Sequence, residues 1–184
     1  MTAPPTLLGQ RVILKPMTAS IIPLLARWFS DPEILPLVGE VKPLTREAIE
    51  WWYIEVTADE NSVRFTVTVK HSHHVIGYVG LLRMFRPWQS TDMLVIIGEK
   101  DMWGQGYGTD AGRRLLQYAF DELGFHRVEI RVVGFNTRAL RFWTELGFQQ
   151  EGIARQSYYC DNQFSDFIMM SILEDEYRQK YGSS

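Results

Sequence analysis

Three glycines at alternate positions, Gly104, Gly106 and Gly108, stand between an apolar run ending at Ile97 and an amphipathic stretch that continues to about Leu123. The chain must stop as a strand, turn tightly and restart as a helix. Glycine lets the backbone make that turn and brings bare N–H groups close to a ligand. The helix start adds unpaired N–H donors and the positive end of the helix dipole. Together these features describe an anion site suited to phosphate.

Hydrophobic periodicity places the other elements. Arg11–Pro16 reads as a short strand ended by proline. Thr18–Phe29 has helical spacing in its apolar residues, and Asp31-Pro32 stops it. Residues Pro36–Pro43 read as a loop, and Thr45 caps a helix running to about Ala58. Val63–Lys70 alternates as a strand, His71-Ser72-His73-His74 turns the chain, and Val75–Arg83 returns. Arg86–Ser90 is a loop before Met93–Ile97, whose nearly continuous apolar character predicts a central, buried strand. The helix after the glycines carries Ala111, Leu115, Leu116, Ala119 and Phe120 on one stripe, and Gly124 ends it. Arg127–Val133 predicts a strand and Thr137–Leu146 a helix stopped by Gly147. Phe148–Gln156 and Phe164–Leu173 predict an antiparallel pair. Helices crossing between strands imply an α/β (α+β) fold, a mixed sheet covered on both faces.

At 184 residues the chain suits one domain, 1–184, with a substantial core. A net charge of −3 gives no electrostatic case for nucleic acid or a membrane surface as partner. No stretch reaches the roughly 18 apolar residues of a membrane span, and Met1–Gly9 lacks the basic start and apolar segment of a signal peptide. The single cysteine, Cys160, excludes an internal disulfide and fits a reduced compartment, so a cytoplasmic location is expected. His71, His73 and His74 have no cysteine or carboxylate cluster beside them, and no metal is expected.

Glycine spacing separates the phosphate-binding designs. A P-loop needs Gly-Lys-Ser/Thr after four intervening residues, and no such triplet occurs. The dinucleotide fingerprint needs Gly-x-Gly-x-x-Gly and an acid about 20 residues later. Here the third glycine comes one residue early, and the following strand ends Val132-Val133-Gly134. A glycine-rich turn without a ligand is the bland alternative.

The segment Trp103-Gly104-Gln105-Gly106-Tyr107-Gly108-Thr109-Asp110-Ala111 resembles the acetyl-coenzyme A signature of the GNAT superfamily of N-acetyltransferases. Further on, Asn136-Thr137-Arg138-Ala139-Leu140-Arg141-Phe142-Trp143-Thr144-Glu145-Leu146-Gly147-Phe148 resembles that family's second signature. Gly9–Pro16 and the closing Arg155, Asp166, Met169 and Leu173 resemble the branch containing ribosomal-protein N-terminal acetyltransferases and spermidine acetyltransferase. The resemblance covers nearly the whole chain. It implies a GNAT-like, mostly antiparallel, splayed sheet of about seven strands with helices on both faces. It implies acetyl-coenzyme A as co-substrate, with the backbone of Gly104–Thr109 around the pyrophosphate and Ile96 and Ile97 pairing with the pantetheine arm. Asn136 would hydrogen-bond that arm. Arg138 or Arg141 would reach a phosphate, or simply be solvated.

In this family the acceptor amine attacks the thioester directly. The chemistry needs an uncharged amine, a polarised carbonyl and a proton for the leaving thiolate. A backbone N–H at Ile97–Gly98 is the expected partner of the carbonyl, which puts Gly98 among the catalytic residues. Glu129 has two readings, acceptor of the amine's proton through water or same-face ion-pair partner of Arg131. Glu40 and Asp92 stand behind it. Trp143 occupies a position where family members commonly carry tyrosine, and an indole N–H is a donor only. Either water protonates the thiolate, or Tyr107, Tyr158 or Tyr159 substitutes. Trp103 is a second departure, because many members have Arg or Gln there; phosphate binding would rest more on backbone amides.

The resemblance implies an N-acetyltransferase (an acyltransferase) acting on a protein N-terminus, a polyamine or another small amine. A coenzyme A-binding module with little activity is the alternative, motivated by Trp143. Trp51, Trp52 and Tyr53 either line the acceptor pocket or pack the core. Residues Tyr158–Asn162 form a hairpin tip that walls the acceptor cleft, makes a homodimer contact or is a plain turn.

Overall fold

The computed structural model describes residues 4–40 and 42–182. Val41 of the 36–43 loop and residues 1–3 of the Met1–Gly9 stretch lie outside them. In chain order the elements are β1 (Leu7–Leu8), β2 (Val12–Pro16), α1 (Ile22–Trp28), α2 (Arg46–Ala58), β3 (Val63–Val69), β4 (Val75–Phe85) and β5 (Ser90–Ile97). They continue with α3 (Tyr107–Gln117), β6 (Arg127–Val133), α4 (Thr137–Glu145), β7 (Gln149–Cys160), β8 (Gln163–Leu173) and α5 (Glu174–Tyr181).

Eight strands form one sheet in the order β1-β2-β3-β4-β5-β6-β8-β7. Neighbours are antiparallel except β5 and β6, which run parallel. That one parallel pair needs a crossover, and α3 supplies it. Alternation along the strands gives the sheet two apolar faces. One carries Leu14, Phe65, Val67, Val79, Val128 and Ile130 and packs against α3, α4 and α5 through residues such as Leu115, Trp143 and Tyr177. The other carries Tyr78, Leu94 and Ile96 and packs against α1 and α2 through Leu25, Trp28, Phe29 and Ile49.

The structure departs from the sequence reading at the ends of the chain. The sheet has eight strands rather than about seven, because Leu7–Leu8 adds an edge strand two residues long. So short a segment has no periodicity to detect. Helix α5 was also outside the reading. Its eight residues present mainly Tyr177 and Tyr181 to the core, too few for an amphipathic stripe. Tyr177 stacks on Phe120 at 4.7 Å between ring centroids, and Tyr181 Oη donates to the Leu146 carbonyl at 3.0 Å. Strand β7 runs on to Cys160 through two irregularities, and its hairpin with β8 turns on Asp161 and Asn162, both at positive φ. That pair of left-handed residues is the pattern of a tight two-residue hairpin.

Candidate active site

Strands β5 and β6 pair over only three rungs, Ser90–Arg127, Thr91–Val128 and Asp92–Glu129. Beyond them each strand stays with its outer neighbour. β5 follows β4 as far as Ile97 opposite Gly77, while β6 follows β8 to Val133 opposite Phe167. The sheet therefore splits, and the gap is a cavity of about 630 Å³. Val95 and Ile97 line it on the α3 and α4 side of the sheet, and Leu94 and Ile96 on the α1 side. The opening thus passes from one face to the other.

The free edge of β5 follows from its bonding to β4. Gly98 N–H donates to the Ile76 carbonyl at 2.9 Å. Antiparallel bonding alternates, so the N–H groups of Val95 and Ile97 turn toward the gap. This corrects the expectation for Gly98, whose N–H is spent inside the sheet; Ile97 is the residue facing the gap. Gly98 has a packing reason instead. A Cβ there would overlap the Trp28 indole. Trp28 Nε1 in turn donates to Glu99 at 3.1 Å.

The glycine turn closes one end of the gap. Gly104 and Gly106 sit at φ +71° and +84°, left-handed angles that a side chain disfavours. Gly106 caps α3 with no side-chain acceptor, so the first N–H groups of the helix have no such partner. Asp110, in that first turn, points away from the open end. Its carboxylate accepts the N–H groups of Gln10, Arg11 and Val12 at 2.9, 2.7 and 2.9 Å. Arg11 adds a hydrogen bond to the Gln105 carbonyl and lies over the Tyr107 ring at 4.4 Å. The N-terminal strand therefore holds the turn from behind. Gln105 and Tyr107 serve this support and do not line the cavity, whereas Gly104, Gly106, Gly108 and Thr109 do.

Trp103 and Arg138 bridge the same end. The Trp103 indole donates to the Ile97 carbonyl at 2.7 Å, and the Arg138 guanidinium stacks on its ring at 3.7 Å. Both line the cavity with Arg141. Asn136 also lines it, yet its side chain is engaged on both sides. Oδ1 caps α4 through the Ala139 N–H at 3.1 Å, and Nδ2 donates to the Leu37 carbonyl at 3.1 Å. Trp143 is a buried wall residue, edge-on to Phe142 and Phe148 at 4.9 Å each.

Glu129 lies at the closed end of the split, outside the cavity lining. Its partner is Arg127 at 3.0 Å, not Arg131. Arg127 also holds Glu151 at 2.6 Å and donates to Ser171 at 2.9 Å. The guanidinium, helped by the Ser171 hydroxyl, holds the Glu151 carboxyl down at about 2. Asp92 is paired with Arg83. Tyr158 Oη donates to the Glu40 carbonyl at 3.2 Å, and burial beside Cys160 pushes that hydroxyl up to about 12. Tyr159 Oη meets Asn162 at 3.0 Å. Trp51 is 68% exposed, and Trp52 packs edge-on to Tyr78 at 5.9 Å; neither they nor Tyr53 lines the cavity. The turn histidines lie at the tip of the β3–β4 hairpin and do not line the cavity, and among the described residues no three His, Cys, Asp or Glu side chains converge. No helix among these residues is long and apolar enough to cross a membrane.

Sequence reasoning passed over Asp110 and Arg11. The available signal was an acid in the first helical turn beside an anion site, which requires a compensating set of donors. Leu37, Val38 and Phe167, which wall the other end of the cavity, had no local signal.

A mostly antiparallel sheet that splits beside a glycine-led helix defines an acetyltransferase architecture. The chain belongs to the acetyltransferase (GNAT) domain family, whose profile matches residues 11–149. It is 27% identical over 177 residues to the uncharacterized N-acetyltransferase p20 of Bacillus licheniformis, covering 94% of this chain and 98% of that one. It is 24% identical over 154 residues to the spermidine N(1)-acetyltransferase of Vibrio cholerae, covering 84% and 82%. The crystal structure of spermidine N-acetyltransferase from Vibrio cholerae in complex with CoA and spermine superposes with a TM-score of 0.84 at 22% identity. That match covers 92% of this chain and 99% of the other, and it shows a shared fold.

Proposed function

We propose that this chain moves an acetyl group from acetyl-coenzyme A to a primary amine. The observation that carries the reading is the split between β5 and β6, which leads from the uncapped start of α3 through the sheet to its other face. The residues fit such a ligand. The open amides of the Gly104–Thr109 turn suit a diphosphate. Arg138, held on the Trp103 face, supplies the cation that Trp103 itself lacks. The free edge at Val95 and Ile97 suits an extended amide-bearing arm, paired as an added strand would be. When bound, the coenzyme would supply the thioester, and the Ile97 N–H, turned to the gap, is the donor that would polarise its carbonyl.

Asn136 takes a role different from the one the sequence suggested, and Glu129 takes the ion-pair role of its two readings with another arginine. Asn136 orients α4 and ties it to the 35–38 turn rather than contacting the arm. Glu129 is committed to Arg127, so the amine's proton passes to water. No tyrosine hydroxyl lines the cleft among the described residues, and the leaving sulfur likewise takes its proton from solvent. A reduced, cytoplasmic setting belongs to this proposal and rests on the single thiol of Cys160.

The test pairs calorimetry with release of free thiol. Coenzyme A should bind the purified protein, and acetyl-coenzyme A should release thiol when amines are added. Binding with no release on any amine would reduce the chain to a coenzyme-binding module. No binding at all would end the proposal.

A further inference from the structure

The face of the sheet opposite α3 carries a row of charged side chains along β6. Arg127, Glu129 and Arg131 alternate there with Val128, Ile130 and Val132, which enter the main core on the other face. The row is nearly all self-paired. Glu129 and Glu151 are held by Arg127, and Asp92 across the last rung of the split is held by Arg83. Arg131 breaks the pattern. It lies two residues beyond that rung, exposed, and it lines the cavity. Among the described residues no carboxylate comes within salt-bridge distance of it.

The cavity side of Arg131 is walled by apolar residues. Met169 faces it across the β6–β8 ladder, and Phe167 follows opposite Val133. Leu37 and Val38 of the turn at 35–38 complete this end of the cavity. Glu145 is the only carboxylate-bearing residue of the lining, and it belongs to α4, on the other side of the sheet. A guanidinium without a carboxylate partner, at the rim of an apolar-walled cavity, attracts a carboxylate and repels a cation.

We propose that the acceptor is a small amine whose own molecule carries a carboxylate on an apolar body, and that Arg131 selects it. Hydrophobic α-amino acids have this chemistry. A polyamine does not, because its second and third ammonium groups would meet Arg131 with nothing to pair them. The inference rests on the acetyl-transfer reading above, and it concerns only the acceptor end of the cleft.

The experiment measures thiol release from acetyl-coenzyme A with four acceptors: L-phenylalanine, its amide, phenethylamine and spermidine. The first three share amine and ring and differ in the carboxylate. L-phenylalanine should show a kcat/KM at least tenfold above its amide, through KM, and spermidine should be the poorest. Arg131→Gln should narrow the acid-to-amide ratio to less than about threefold, and Arg131→Glu should invert the order in favour of spermidine. A peptide arm, Asp-Phe against Asn-Phe, separates a free amino acid from an acidic peptide N-terminus; the free acid should be preferred. Native preference for spermidine or for phenethylamine would overturn the proposal. So would an Arg131→Gln variant that keeps the native ratio, or turnover of none of these acceptors by protein that binds coenzyme A. Absence of coenzyme binding would instead remove the acetyl-transfer reading itself.

Discussion

The two ends of the cleft are built from different material. At the end under α3 the open polar groups are backbone amides, fixed by two glycines at positive φ and braced by Asp110 and Arg11. At the other end the lining is side chains brought together from the 35–38 turn, β6 and β8. The first end needs little of its neighbours beyond one bracing strand. The second exists only because three distant parts of the chain meet. Backbone sites therefore resist change of side chain but not of backbone angle, whereas the convergent end should tolerate the reverse.

Substitution of Gly106 by valine attacks that contrast most directly. A β-branched residue at φ +84°, with Arg11 Nη1 only 3.2 Å from its Cβ, should lose roughly 100-fold in coenzyme affinity or more, read by calorimetry. An acceptor-end change such as Leu37→Ala should leave that affinity nearly intact. Asp110→Ala comes next. Three backbone donors lose their acceptor, and the melting temperature should fall by the equivalent of about 2 kcal/mol. The coenzyme KM should rise while the acceptor KM holds. A variant with the two constants raised together would show that the bracing strand supports the whole cleft.

Arg138→Ala should weaken coenzyme A binding by about tenfold, and Arg138→Lys should restore only part of it, because lysine lacks the planar stack on Trp103. Equal affinity in all three proteins would leave the phosphates to the amides alone. The smallest effect concerns the ion pairs behind Arg131. Glu151 is held at about 2 in the fold against an ordinary 4.5, so its contribution to stability is complete above the ordinary value. That contribution is lost as pH falls toward 2. With the side chain partly exposed the amount is under about 1 kcal/mol. Denaturant melts of Glu151→Gln between neutral pH and pH 3 should show a shallower acid loss than the native chain.

Much of the fold was legible because period and punctuation agree. Val63–Val69 alternates, Thr45 caps α2 through the Ala48 N–H at 3.2 Å, and Gly147 at φ +103° stops α4. The missed pieces, β1 and α5, are short and take their stability from tertiary contacts such as Tyr177 on Phe120. At the cavity the sequence named Gly98 for the N–H that faces the gap, and the structure turns Ile97 there. Whether Gly98 or Ile97 faces the gap depends on ladder register, which no local pattern encodes.

Glu129 teaches the same point with charge. Same-face spacing allowed either Arg127 or Arg131 as its partner, since each lies two residues away. Only the pairing of β8 with β6, and of β7 with β8, brought Ser171 and Glu151 to Arg127, beside Glu129, and left Arg131 to the cleft. By itself the sequence determined the glycine turn and the helix it leads, because backbone angles and helix ends are local properties. Tertiary structure alone decided where the sheet splits, which carboxylates are neutralised and which unpaired arginine of β6 lines the cavity, because those depend on register and on contacts between residues far apart in the chain.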